Sequence, residues 1–125
     1  MKKINFVKNI LRIVSFVLII STSSPLWAAS VHFYCVGGSL QVGADTNSTN
    51  GFIQIAPEGI TQGPHGGALN ACYYAGGNVY SLGIDLSTPG AKSVYANALL
   101  SKSLNILVRI YVDSVTCRVE SLVLQ

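Results

Sequence analysis

The tightest constraint on what this chain can fold into is a change of period in its last third. Thr88 can accept a hydrogen bond from an orphan N–H of a first helical turn, and Pro89 sits where a missing N–H costs nothing. Ala91, Val94, Tyr95, Ala98 and Leu99 then recur at steps of three and four, the spacing that lines one face of a helix. Lys92, Ser93, Asn97 and Lys102 fall on the other face, and Asn105 is suited to a left-handed residue ending the helix. From Ile106 the period becomes two. Ile106, Val108, Ile110 and Val112 share one side of a strand, and Leu107, Arg109 and Tyr111 share the other. Asp113-Ser114 turns the chain, and the segment from Cys117 to Leu124 returns as a second strand. The expected class is α+β: mainly β, a curled antiparallel sheet packed by a single amphipathic helix.

The start of the chain reads differently. Lys2, Lys3, Lys8 and Arg12 make it basic, Ile13 to Ile20 is apolar apart from Ser15, and the stretch ends in small residues around Ala28-Ala29-Ser30. That order predicts a secretory signal over residues 1–29, cleaved within 28–30. The apolar run is short against the roughly 20 residues that a membrane anchor needs. Export to the periplasm or the medium is therefore expected, with no stable membrane anchor after cleavage. Removing the leader leaves four cations (Lys92, Lys102, Arg109 and Arg118) against five acids (Asp45, Glu58, Asp85, Asp113 and Glu120). The formal charge of +3 thus belongs to the leader. With no basic stripe and no Trp in residues 30–125, nucleic-acid binding loses its electrostatic basis.

Residues 30–125 are expected to form a single small β-rich domain, able to fold alone but helped by a cross-link. All 12 glycines lie there, which with the abundance of Val, Ile, Tyr and Ser favours short strands joined by turns. Strands are expected over 31–36, over 39–42 beyond Gly37-Gly38, over 52–56 up to Pro57, over 68–74 and over 79–86. Turns are expected over 44–51 and 75–78, and a long polar loop over 58–67. Few charges on a small exported domain also imply an apolar surface suited to a partner or to self-association.

Cys35, Cys72 and Cys117 remain after export, so an oxidising compartment predicts one disulfide and one free thiol. Cys72 precedes the strand entering the helix and Cys117 follows the strand leaving it. Bridging these two would clamp the helix unit onto the sheet and close a long loop, worth roughly 4 kcal/mol in the chain-entropy model. That pair is favoured, although spacing does not exclude Cys35–Cys72 or Cys35–Cys117. Cys35 is then a free thiol, either buried as a small apolar residue or linking two chains.

A search for chemistry yields little. A cysteine nucleophile needs a base, and only His32, in a strand, and His65, in Gly63-Pro-His-Gly-Gly, are on offer. No metal-ligand spacing, no paired carboxylates and no phosphate-cradling glycine loop opening a helix occur. No enzyme, no metal and no cofactor are expected. Aromatics are the better lead. Tyr95 belongs to the helix's apolar face, and of the neighbours Tyr73 and Tyr74 one must point each way from a strand. Tyr34, Tyr73, Tyr74 and His65 are the candidates for a ligand-facing surface.

Gly90-Ala-Lys-Ser-Val-Tyr-Ala-Asn-Ala-Leu-Leu, then Val108-Arg-Ile-Tyr-Val and Cys117, resemble the B subunits of AB5-type toxins of the subtilase-cytotoxin and typhoid-toxin kind. Phe33-Tyr-Cys-Val-Gly-Gly and Ala71-Cys72 are similar to the N-terminal half of that family. The chain departs from it in the loops and ends soon after Cys117, so no sugar-contacting residue carries over. The resemblance implies a small OB-like barrel and a non-enzymatic glycan- or protein-binding module, in a ring whose subunits pair by edge strands. The alternative expectation is a periplasmic or envelope protein with a structural or inhibitory role.

Overall fold

A computed structural model describes residues 30–47 and 49–125; the expected leader lies outside these residues. Strand β1 (Ser30–Val36) buries Val31, Phe33 and Cys35 and turns His32, Tyr34 and Val36 outward, the alternation of a strand with one face on the core. A one-turn 3₁₀ segment, Gly37–Ser39, then redirects the chain. A Cβ on Gly37 would stand 2.0 Å from the Ser101 carbonyl oxygen, so only glycine lets the backbone pass there. The Gly37 N–H donates to the Ile106 carbonyl at 2.8 Å. Strands β2 (Leu40–Ala44) and β3 (Asn50–Ile55) form a hairpin. Its loop is organised by the Asp45 carboxylate, which accepts from the Thr49 and Asn50 N–H groups.

The turn Pro57–Gly59 leads into β4 (Ile60–His65), which pairs antiparallel with β1. This corrects the expected loop over 58–67. The strand is exposed on both faces beyond Ile60 and carries Gly63 and Pro64, so no apolar alternation marks it. Pairing with β1, not burial, makes it a strand. The expected strand over 68–74 is corrected in the opposite sense. Asn70–Cys72 is a 3₁₀ turn, and only β5 (Tyr73–Tyr74) is extended. Strand β6 (Val79–Asp85) follows, then helix α1 (Pro89–Leu104), β7 (Leu107–Asp113) and β8 (Arg118–Leu124).

The helix begins and ends as its sequence predicts. The Thr88 hydroxyl accepts from the Ala91 N–H, Pro89 takes the first turn, and Asn105 closes the helix at φ 53°. Its inward face differs by one residue from the expected set. Ser101 is fully buried and returns its hydroxyl to the Ala98 carbonyl at 2.8 Å, whereas Leu99 stands 41 % exposed. At this point of the helix the Gly37 backbone passes against the Ser101 carbonyl.

The sheet runs β2-β3-β6-β8-β7-β1-β4, with β5 attached to β6. All pairs are antiparallel except β6 with β8, which meet in parallel at Gly83 and Arg118. Both ends, β2 and β4, lack a second neighbour, so the sheet is open and curled and does not close into a barrel. Helix α1 packs on β2, β6, β8 and the Gly37–Ser39 turn. Between helix and sheet lies one core, with Phe33, Leu40, Ile53, Ile55, Leu82 and Ile110 among its fully buried members. Each such side chain contributes roughly 1.5–3 kcal/mol by leaving water. Tyr95 packs at its margin, against the backbone of Gly51.

Cys72 and Cys117 are disulfide-bonded, with Cα atoms 5.4 Å apart. Cys117 lies in the β7–β8 turn at φ 57°, one residue before the strand that the sequence assigns to it. The bond ties the turn ahead of β5 to the hairpin that follows the helix. Cys35 is free and fully buried, and burial pushes its thiol up to about 12. A side chain so enclosed cannot link two chains, which removes that alternative for Cys35.

Candidate functional site

The outward side chains of β1 and their neighbours form two rows across the sheet. In the first, register places His32 opposite His65 of β4 on one side and Tyr111 of β7 on the other. The His32 ring centroid lies 5.2 Å from that of His65 and 5.2 Å from that of Tyr111, with tilts of 34° and 36°. In the second row, Tyr34 stands between Gln62 of β4 and Arg109 of β7. The rows interlock. Tyr34 meets His32 and His65 edge-on at 6.2 and 6.4 Å. The Arg109 guanidinium lies 5.7 Å from the Tyr34 centroid and 5.3 Å from that of Tyr111, and its Nη1 donates to the Tyr34 hydroxyl at 3.3 Å.

Arg109 has no carboxylate partner among the described residues. Its Nε is buried with no hydrogen-bond acceptor, while Asp85 takes Arg118 at 3.3 Å on another part of the surface. The two acids nearest in register to this face are already engaged. Glu120 accepts from the Ser30 hydroxyl at 2.7 Å. Asp113 accepts from the Val115 and Thr116 N–H groups, and these bonds hold its carboxyl below the usual carboxylate range. The result is a half-buried cation clasped by two tyrosine rings beside two imidazoles, with His65 at the exposed margin. Such a surface offers flat apolar ring faces together with N–H and O–H donors.

Of the four residues that the sequence proposes for a ligand surface, the structure brings together Tyr34 and His65. Tyr73 and Tyr74 lie elsewhere, on β5, and both are exposed, at 39 % and 61 %. The expected division, one in and one out, fails because β5 is two residues flanking a turn and not a full strand against the core. Tyr73 packs on Tyr80 and its hydroxyl donates to Asn78, and Tyr74 lies over the Gly76-Gly77 turn. The sequence reading missed His32, Arg109 and Tyr111. Parity held the signal: His32 shares the outward side of β1 with Tyr34, and Arg109 and Tyr111 form the polar side of β7. Because β1 lies between β4 and β7, His32 has a strand on either side of it.

Cys35 points into the core from the same strand that turns His32 outward, so the thiol and the imidazoles occupy opposite faces of the sheet. Among the described residues no group of three His, Cys, Asp or Glu side chains could hold a metal ion. No helix among them is long and apolar enough to cross a membrane. The disulfide is compatible with a place outside the cytoplasm. No protein-family model matches the chain, and neither a curated protein nor a solved structure matches it. The likeness to AB5-type B subunits therefore rests on the residues quoted for it alone.

Proposed function

We propose that this chain is an exported, non-enzymatic binding module that presents the outer face of β4, β1 and β7 to a glycan. The observation that carries this reading is Arg109, half-buried between Tyr34 and Tyr111 with an unsatisfied Nε and, among the described residues, no acid paired with it. A buried or half-buried cation without a counter-ion is costly, and a side chain kept in that state at a surface is poised to meet an acceptor from outside. The ring faces of His32, Tyr34 and Tyr111 suit the C–H face of a sugar. The guanidinium, the tyrosine hydroxyls and Gln62 suit its hydroxyl or carboxylate oxygens. A protein partner would use the same face through its own aromatic or acidic side chains.

The part of the reading that places the chain in a homo-oligomer draws on two features. Strands β2 and β4 leave backbone groups unpaired along both sheet edges, and Leu99, Leu100 and Leu104 are exposed along α1. Sedimentation of the purified protein tests that part.

Binding is tested by screening the purified protein against a glycan array and titrating each hit. Arg109→Ala and Tyr34→Ala are expected to weaken binding tenfold or more, about 1.4 kcal/mol each. Tyr74→Ala, away from the face, is expected to leave it unchanged. An array with no hit, or a hit unaffected by Arg109→Ala, overturns the glycan reading.

A further inference from the structure

The two ends of the sheet are unlike, and their difference bears on how copies of the chain meet. We propose that the free edge of β2 pairs antiparallel with β2 of a second copy, Val42 opposite Val42 across a two-fold axis. This rests on the reading above that the chain self-associates, and it names the edge, the register and the closure.

An open sheet edge invites another strand unless something blunts it. Strand β4 is blunted. Pro64 offers no N–H, Gly63 leaves the extended conformation at φ 97°, and the register on β1 is interrupted on either side of Tyr34. Strand β2 has none of these devices. Leu40-Gln-Val-Gly-Ala holds no proline and no charge, and its register on β3 is unbroken from Leu40 to Ala44. It has no second neighbour among the described residues. A ring needs β2 of one copy to meet β4 of the next, so a blunted β4 favours the closed arrangement in which β2 meets β2.

The backbone of β2 is self-complementary in that arrangement. Ladder bonds alternate along an antiparallel pair. The Asp45 N–H donates to the Asn50 carbonyl at 2.9 Å, so Gly43 and Gln41, two and four residues earlier, also bond towards β3. The far side of β3 fixes the same parity. Gly83, the partner of Phe52, turns its N–H to the Cys117 carbonyl at 2.8 Å, which leaves Phe52 to bond Gly43. Leu40, Val42 and Ala44 therefore direct their backbone groups outward, and of these the Leu40 N–H is already engaged by the Gly37 carbonyl. With Val42 opposite Val42, each Val42 N–H meets the Val42 carbonyl of the other copy. Each Ala44 N–H meets the other copy's Leu40 carbonyl, so every free donor of the strand finds an acceptor.

The side chains agree with this register. Val42 packs at the margin of the core, and the pairing sets two such valines side by side. On the opposite face the half-exposed Phe52 ring lies over Gly43, and the register brings Gln41 of the other copy beside it. Tyr95 lies against Gly51, the partner of Ala44, and Leu99 follows it by one turn, exposed on the same flank of α1. Asp45, which ends the strand, is held by Thr49 and Asn50 and comes opposite Ser39 of the other copy, so no like charges meet along the pairing.

An edge this short is smaller than a standard interface, so association is expected between about 10 µM and about 1 mM. Sedimentation equilibrium of the purified chain over that range is expected to show monomer giving way to dimer and to nothing larger. Ala44→Lys, at an exposed edge position, is expected to keep the chain monomeric, and Thr61→Lys on β4 to leave the dimer intact. Hydrogen exchange of the wild type supplies a reading without substitution. From the dilute to the concentrated sample the Val42 and Ala44 amides are expected to gain protection at least fivefold, and those of Gln41 and Gly43 to change little. A monomer throughout overturns the proposal together with the self-association reading, and leaves the edge to a strand of another protein. An assembly that survives Ala44→Lys, is lost in Thr61→Lys, exceeds a dimer, or leaves the Val42 and Ala44 amides unprotected overturns the β2 pairing while self-association stands. The two failures are thus told apart, and glycan binding enters neither measurement.

Discussion

Strand β1 presents two faces that differ in kind. Val31, Phe33 and Cys35 enter a dry core and have no exposure at all, and nothing about them is available to another molecule. His32 and Tyr34, one residue out of step, join side chains from β4 and β7 in a cluster of rings and one guanidinium with a buried nitrogen left unpaired. The two sets are interleaved on seven residues of one strand and obey different economies. On the inner face, loss of volume is loss of stability. On the outer face, charge and ring orientation matter, and the sheet would stand without them.

The largest effect expected from that division is on the inner face. Phe33→Ala removes a fully buried ring and should destabilise the protein by about 3–5 kcal/mol, read from urea unfolding with the slope unchanged. Tyr34→Ala, next door but half-exposed, should cost well under half of that. If the two cost the same, the outer cluster is a second core and the division is wrong.

Cys35 sharpens the same contrast. With its thiol pushed up to about 12, the thiolate fraction at pH 8.5 falls roughly a thousandfold below that of an ordinary cysteine, and the side chain is sealed as well. Maleimide should label the native protein negligibly and label it fully in urea, by mass spectrometry. Appreciable labelling of the native chain would mean that the inner face opens and that the thiol is available after all.

Next in size is Arg109. Because no carboxylate pairs with it among the described residues, Arg109→Met should change unfolding stability by less than about 1 kcal/mol while weakening the glycan binding proposed for this face. A loss of several kcal/mol would show instead that the guanidinium is a structural strut between Tyr34 and Tyr111.

Much of the fold was legible because the residues concerned answer to one rule each. Thr88 and Pro89 announce the helix, Asn105 ends it, and the alternation of Val108, Ile110 and Val112 sets the strand after it. The disulfide partners could be favoured from their places before and after the helix unit, and the structure joins Cys72 to Cys117. What stayed hidden depends on pairing across long stretches of chain. Ile60–His65 is a strand only because β1 is beside it, and no local pattern in Thr61-Gln-Gly-Pro-His states that. The site was half hidden for the same reason. Tyr34 and His65 are recognisable singly, but Arg109 and Tyr111 lie some 75 residues from Tyr34 in the chain and become its neighbours only once β7 takes its register on β1. Open versus closed sheet was equally out of reach, since it rests on whether β2 meets β4, and no residue in either strand specifies that contact.

The smallest effect expected concerns Asp113, which stands at the end of β7 where the outer face meets a turn. Two roles compete for its carboxylate: counter-ion to the cationic face, or cap of the turn that carries Cys117. The structure assigns it to the turn, through the Val115 N–H at 2.8 Å and the Thr116 N–H at 3.2 Å, and these bonds lower its affinity for a proton. A carboxyl held below its unfolded value of about 3.9 stabilises the fold at every pH above that value. The contribution is lost as pH falls through the folded value, because over that window the unfolded chain binds more protons than the folded one. Asp113→Asn should therefore lower the urea midpoint slightly at pH 7 and flatten its decline between pH 5 and pH 3, with the proposed glycan binding at pH 7 unchanged. If the substitution instead alters binding while leaving the acid limb of the stability curve unchanged, Asp113 serves the cationic face, and the separation between a structural turn and an unpaired guanidinium fails at the residue where the two adjoin.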